Sequence, residues 1–288
     1  MPQTINTNLV SLNAQRNLSM SQMSLSTAMQ RLSSGMRVNS AKDDAAGLSI
    51  AERMQSQVRG MNVAMRNAND GISLSQVSEG ALGKVGDLFQ RMRELAVQSA
   101  NGTNSTADRV SLNGEFVQLA QEATRTLGGT QFNGQNILAS TTNSTFQIGA
   151  NASTDIDQIT VAAFNWTSKT DLTSVLGNTV ITGTSTPSTQ ITDITTAQGA
   201  IASLDNAINA VNSQRSTFGA IQNRFDNVVA TLMVQSENQT AARSRIMDAD
   251  YAMETANLSR SQILQQAGNA MVAQANQLPQ QVLSLLKG

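Results

Sequence analysis

Apolar residues recur along four segments of this 288-residue chain at a spacing close to the 3.5 residues of a coiled-coil seam. Near the start, Leu18, Leu25 and Leu32 repeat by seven, with Met29 and Met36 in the alternate position and Gln22 its one polar member. A second segment runs Leu74, Ala81, Leu88 and Leu95, interleaved with Ser78, Val85 and Met92. A third runs Leu204, Val211, Phe218, Phe225 and Leu232, interleaved with Ile201, Ile208, Arg215, Gln222 and Val229. The last runs Leu264, Met271, Leu278 and Leu285, interleaved with Gly268, Ala275 and Val282. This period keeps one stripe turned toward a partner helix and predicts left-handed coiled coils. Ser105 and Asp108 have capping-box spacing and predict a helix from there to Leu127, ended by Gly128 and Gly129. Asn101-Gly102 closes the helix before it.

From about Thr141 to Thr196 the pattern changes to Thr, Ser, Asn and Gly, with short alternating runs at Thr145–Ile148, Ile156–Val161 and Thr179–Thr182. These read as short strands and turns. The predicted fold class is mainly α: a long helical coiled-coil hairpin or bundle with a small β-rich excursion in the middle. Both ends must return to one place for their seams to pair.

Charge adds a constraint to this pattern. From Met1 to Met36 the charged side chains are Arg16 and Arg31 alone, and from Thr255 to Leu286 Arg260 alone. A water-facing helix carries many more. Opposite the apolar seam these ends place Gln, Asn and Ser, whose neutral groups are buried with hydrogen bonds at far lower cost than charges. Both faces of the terminal helices are therefore expected to be covered in the working protein, one by each other and one by neighbouring subunits. A helical pair of this kind is marginal alone and is expected to order on assembly.

Composition removes most chemistry. The chain has no Cys and no His, so a thiolate nucleophile, a Cys/His metal site and a His general base are excluded. No cofactor and no catalytic residue is expected. A net charge of −1 supplies no basic field for nucleic acid. No run approaches the roughly 18 apolar residues of a membrane span. Met1 to Leu18 lacks the charged and apolar regions of a secretory signal, so any export is expected to take another route. Gly80–Lys84 lacks phosphate-loop spacing. Asp248-Ala-Asp250 and Asp155-Ile-Asp157 lack the Gly and Glu of a calcium loop and read as helix-start or loop acids. The Thr and Ser of 141–196 suit an exposed loop or O-glycan acceptors, and both readings stay open.

The stretch Asn6–Leu18, the run Leu32-Ser-Ser-Gly-Met-Arg-Val-Asn-Ser-Ala-Lys-Asp-Asp-Ala-Ala-Gly-Leu48 and Asn69–Leu74 resemble the N-terminal part of bacterial flagellins. The end, Leu264–Leu286, is similar to the flagellin C-terminus. The resemblance covers roughly 1–140 and 197–288. It implies an inner-tube coiled-coil domain of 1–44 with 245–288. It also implies a helical shell of 45–176 with 197–244, bearing a β-hairpin near Thr130-Gln-Phe-Asn-Gly134, and a reduced surface segment at 177–196. The implied seam for self-assembly is Leu18, Leu25, Met29, Leu32, Leu264, Met271, Leu278, Val282 and Leu285.

The same resemblance implies an extracellular helical homopolymer, exported unfolded through the flagellar type III channel and used for swimming. Its implied partners are an export chaperone, the junction and cap proteins, and the vertebrate Toll-like flagellin receptor, which would read Arg91, Leu95 and Glu115. Cytosolic innate sensors would read Val282, Leu283, Leu285 and Leu286. Physical readings stand beside these: Leu95 lies on a seam, and Arg91 with Glu115 suits a surface ion pair. The alternatives are a hook–filament junction protein, whose termini should match more loosely, and a secreted coiled-coil interaction module. Limited proteolysis of the free subunit should remove both charge-poor ends and spare 45–244, as followed by mass spectrometry. Equal resistance along the chain would contradict that expectation.

Overall fold

The structure is a computed structural model, which describes residues 7–177 and 187–287, with side chains described as far as Gln277. The strand expected at Thr179–Thr182 lies outside the described residues, as do the side chains of Leu278, Val282, Leu283, Leu285 and Leu286.

The element order is α1 (Leu9–Ser34), α2 (Ala45–Ser99), α3 (Thr106–Gly129), β1 (Gln131–Phe132), β2 (Gln135–Asn136), β3 (Ser144–Gln147), β4 (Gln158–Val161), a short 3-10 turn at Trp166–Ser168, α4 (Thr170–Leu176), α5 (Ile194–Met247) and α6 (Tyr251–Lys287). The predicted class holds: long helices with a small β excursion. The elements group into two compact units, Met1–Ser56 with Glu237–Gly288, and Gln57–Ser236. The divisions fall inside α2 and α5 rather than at the 44/45 and 244/245 boundaries implied by the resemblance.

In the central unit, α2, α3 and α5 enclose the large core. The α5 stripe is as read from the period: Leu204, Val211, Phe218, Phe225 and Leu232 are all buried. On α2, Leu74, Ser78, Val85, Met92 and Leu95 are buried, as the pattern requires. A second α2 line of Leu82, Phe89 and Ala96 is buried as well, and α3 contributes Phe116, Ala120, Ala123 and Leu127 to the same cluster. Helix α2 thus has two apolar lines, where a simple hairpin would need one. Arg215 and Gln222, the polar members of the α5 stripe, meet Glu79. Gln222 Nε2 donates to Glu79 Oε2 at 3.0 Å, and Arg215 Nη2 lies 4.0 Å from Glu79 Oε1. One polar layer in an apolar seam favours a single register over its slipped alternatives.

Local chemistry sets the turns. Arg109 lies across the end of α2, donating from Nε to Ser99 O at 2.9 Å and from Nη2 to Asn101 O at 3.0 Å, so the last α2 carbonyl and one in the turn beyond it are satisfied. The β1–β2 hairpin turns on Asn133 (φ 50°) and Gly134 (φ 76°), the left-handed pair of a two-residue hairpin turn. Strands β3 and β4 pair antiparallel, Ser144 opposite Val161 and Gln147 opposite Gln158. Two α2 glycines make room for what covers them. A Cβ on Gly71 would fall 2.6 Å from Phe225 Cζ, and one on Gly60 would fall 2.8 Å from Ala150 Cβ. Phe225 in turn meets Phe146 edge-on, centroids 5.5 Å apart.

The capping box at α3 is complete. Ser105 Oγ accepts from Asp108 N at 3.2 Å, and Asp108 Oδ2 accepts from Ser105 N at 2.9 Å. Ser105→Ala should destabilise the protein by about 1 kcal/mol, read from urea midpoints. The Ser105 hydroxyl and then its N–H hold the Asp108 carboxyl below its ordinary value of 3.8. Stabilisation from a depressed carboxyl is complete above the unfolded value and is lost as pH falls through the native one. The difference between wild type and Ser105→Ala should therefore shrink on acidification through that range.

Candidate self-assembly surface

Helices α1 and α6 form an antiparallel pair, tied at both ends. At one end Asn8 accepts from Ser11 N as the α1 cap and donates from Nδ2 to Ala275 O at 2.7 Å, while Ser11 Oγ donates to Asn276 Oδ1 at 2.7 Å. At the other end Tyr251 OH donates to Leu32 O at 3.3 Å, and Arg31 Nη1 stands 4.0 Å from the buried Glu254 carboxylate. Between these ties the α1 contact line is Ser11, Ala14, Leu18, Ser21, Leu25, Ala28 and Leu32, all buried or half-buried. The α6 line is Glu254, Leu258, Ser261, Gln265, Gly268, Val272 and Ala275. Both follow alternating steps of three and four, the coiled-coil spacing. Small residues occupy much of both lines, and a Cβ on Gly268 would lie 3.1 Å from Leu18 Cδ1. The helices approach closely there because Gly268 has no side chain.

This corrects part of the predicted seam. Leu18, Leu25 and Leu32 sit on it, as do Gly268 and Ala275. Met29, Leu264 and Met271 do not: they are 56%, 50% and 60% exposed. At 3.6 residues per turn, the Leu264–Met271 stripe is rotated roughly 80–100° away from the α6 contact line. On α6 the contact line carries the small residues Ser261, Gly268 and Ala275, so the larger Leu264 and Met271 of the same period fall on another face. The signal that could have found the line was the run Ser11, Ala14, Ser21, Ala28 on α1, set against Ser261, Gly268 and Ala275 on α6.

Beyond the pair, a clasp joins the end of α1 to the start of α6. Gly35, with φ 70°, stops α1 in the left-handed conformation that favours glycine, and its N–H returns to Arg31 O. Arg37 N donates to Met247 O at 2.6 Å, Arg37 Nη2 to Ile246 O at 2.7 Å and Ala249 N to Gly35 O at 2.9 Å. Val38, Ala51 and Met247 close a small core beneath it. Asp250 caps α6 through Ala252 N, and Asp248 accepts from Ser244 Oγ. Both acids are therefore local helix-end groups.

The residues expected to meet the innate receptor divide. Arg91 and Glu115 are exposed and joined, with Nη2 2.9 Å from Glu115 Oε1, while Nη1 reaches Glu94 Oε2 at 2.8 Å. Hydrogen bonds to Glu94 and then Glu115 raise the Arg91 pKa further above its ordinary value. Leu95 is 1% exposed and belongs to the core, so its expected place on an exposed surface is corrected. It lies on the α2 line that packs inward, where a branched apolar side chain gains most from burial.

Among the described residues no helix is long and apolar enough to cross a membrane, and no group of three Asp or Glu could hold a metal ion. Residues 5–143 match the bacterial flagellin N-terminal helical region, and residues 201–286 match the bacterial flagellin C-terminal helical region. The chain belongs to the bacterial flagellin family.

It is 46% identical over 284 residues to a flagellin of Halalkalibacterium halodurans, covering 98% of this chain and 99% of that one. It is 43% identical over 295 residues to the flagellar filament 33 kDa core protein of Treponema phagedenis, covering 98% and 99%. A crystal structure of Bacillus cereus flagellin is similar over 62% of this chain and 94% of that one, at 33% identity and a TM-score of 0.49. This flagellin is a structural subunit of the extracellular flagellar filament, and it associates with itself to form one. The junction-protein and secreted-module alternatives are not favoured, because relatives named flagellin align along nearly the whole chain. The corrected contact line is checked by two substitutions. Gly268→Leu should loosen the α1–α6 pair and Met29→Gln should leave it intact, as read by hydrogen exchange of α1 and α6 amides.

Proposed function

We propose that the outward faces of α1 and α6 are the surfaces through which the filament subunits pack. The observation that carries this is the set of large apolar side chains left exposed on charge-poor helices: Leu9, Leu12, Met20, Met23 and Met29 on α1, with Met253, Ile263, Leu264 and Met271 on α6. Exposed apolar patches of this extent mark interaction surfaces. Covering a half-exposed side chain of this size contributes on the order of 1 kcal/mol. Nine such side chains per subunit are comparable to the roughly 4–15 kcal/mol lost in association freedom. Assembly then needs most of the set, and two charges within it are enough to prevent it.

The rest of the functional reading follows the family. Residues 1–44 with 245–288 line the inner tube, 45–176 with 197–244 form the shell around it, and 177–196 is the reduced surface segment. Export through the type III channel precedes folding of the ends. An export chaperone covers the C-terminal apolar face until then, and the junction and cap proteins meet the same ends of the polymer. The Toll-like receptor reads Arg91 and Glu115 on the exposed face of α2 and α3, with Leu95 acting only through the packing beneath them. Cytosolic sensors read 282–286. As a polymer subunit the protein carries out no catalysis and needs no cofactor.

Leu264→Asp combined with Met271→Asp should abolish polymerisation, followed by sedimentation and negative-stain imaging of seeded protein. Near-UV circular dichroism of Trp166 should be unchanged, since that ring lies in the central core. Filaments of normal length from the double variant would remove these faces from the assembly surface.

A further inference from the structure

We infer that the exposed methionines of the terminal unit, Met20, Met23, Met29, Met253 and Met271, form a hydroperoxide-sensitive modification site whose oxidation closes the free subunit's route into the filament. This rests on the filament reading above and adds a chemical control to it.

The distribution of sulfur carries the inference. The chain has thirteen methionines and no cysteine, so thioethers are its only oxidisable sulfur and no thiol intercepts the oxidant first. The central unit buries Met61 and Met92, and the clasp buries Met247. Among the described residues the exposed methionines are the five named here and Met233 on α5. All five lie off the α1–α6 contact line, so oxidising them leaves the pair's own packing untouched. Each lies among the apolar side chains that assembly covers, Met253 and Met271 sharing one flank of α6 with Leu264.

The chemistry balances without further components. A methionine sulfur lone pair attacks one peroxide oxygen, an S–O bond forms and the O–O bond breaks. The sulfur-bound oxygen gives up its proton, and the displaced hydroxide takes up a proton and leaves as water. Sulfur loses two electrons to become the sulfoxide, and the peroxide gains them. The product replaces a flexible apolar side chain with a polar, chiral one. A sulfoxide is well solvated on the free subunit and must be dehydrated in a packed array. Oxidation therefore acts on association more than on the subunit's fold. It is reversible by methionine sulfoxide reductases. Once the array has formed, the same sulfurs are covered and react slowly.

The test treats the full-length free subunit with hydrogen peroxide, maps sulfoxides by mass spectrometry and seeds polymerisation. The expected result is oxidation at the five positions and at Met233, an unchanged Trp166 near-UV signal and loss of polymerisation. Incubation with methionine sulfoxide reductases and a dithiol should restore it. A variant with all five positions changed to Leu, keeping Met233, should polymerise after peroxide treatment. Should that variant assemble poorly untreated, the reductase rescue decides instead. If untreated protein forms filaments and the oxidised protein forms them equally well, the inference is overturned. Loss that the reductases do not reverse, or loss that persists in the five-site variant through Met233, overturns it as well. Failure of untreated protein to polymerise at all would instead strike the filament reading beneath it.

Discussion

The arrangement depends on how closely α1 and α6 approach each other, and that approach is set by side chains that are absent rather than present. Gly268 against Leu18, and the small residues Ser11, Ala14, Ser21 and Ala28 along α1, let the helices meet on a narrow line. That line uses one stripe of each helix. The same choice displaces the large apolar residues to other faces, where they stay in water until something covers them. Close internal packing and an unfinished exterior are one geometric fact.

The central unit solves the opposite problem. Phe89, Phe116, Phe225 and Trp166 are fully buried there, together with two apolar lines of α2 and one of α5. Its core is sufficient on its own scale, and its surface carries ordinary ion pairs: Arg91 with Glu115, Arg93 with Asp205 and Arg125 with Glu122. Such exposed pairs contribute little to stability. They do keep the surface charged, which the terminal helices conspicuously do not. Charge thus separates the part of the chain that finishes itself from the part left to be finished by copies.

Much of this was legible in the residues. The α5 stripe and the capping box at Ser105 rest on a strong period and on local chemistry, and the structure keeps them. The hairpin after Thr130 was implied by the resemblance alone, and within the 141–196 excursion strands form at 144–147 and 158–161 while 170–176 is helical. The terminal seam was legible in its period and illegible in its phase. Heptad positions filled by Leu and Met attract attention, because size usually marks the buried face. Where small residues form the contact, that rule inverts, and Met29, Leu264 and Met271 fall outside it. Leu95 carries two competing readings. Resemblance placed it among exposed residues, while the period placed it on a seam, and the packing of α2 against both neighbours followed the period.

One charged pair lies in the terminal contact, and its position explains why neutrality there is tolerable. Arg31 reaches the buried Glu254 near the clasp, where Gly35, Arg37 and Met247 already hold the chain by backbone hydrogen bonds. A buried carboxylate without its partner is costly, so a slipped register would strand Glu254 away from Arg31. The remaining line, made of hydroxyl, amide and apolar groups, carries no further charge. The charged contribution to register therefore lies beside the clasp, the Asn8 and Ser11 hydrogen bonds tie the opposite end, and the outward faces of both helices are free to carry the neutral, apolar exterior that an array of identical subunits requires.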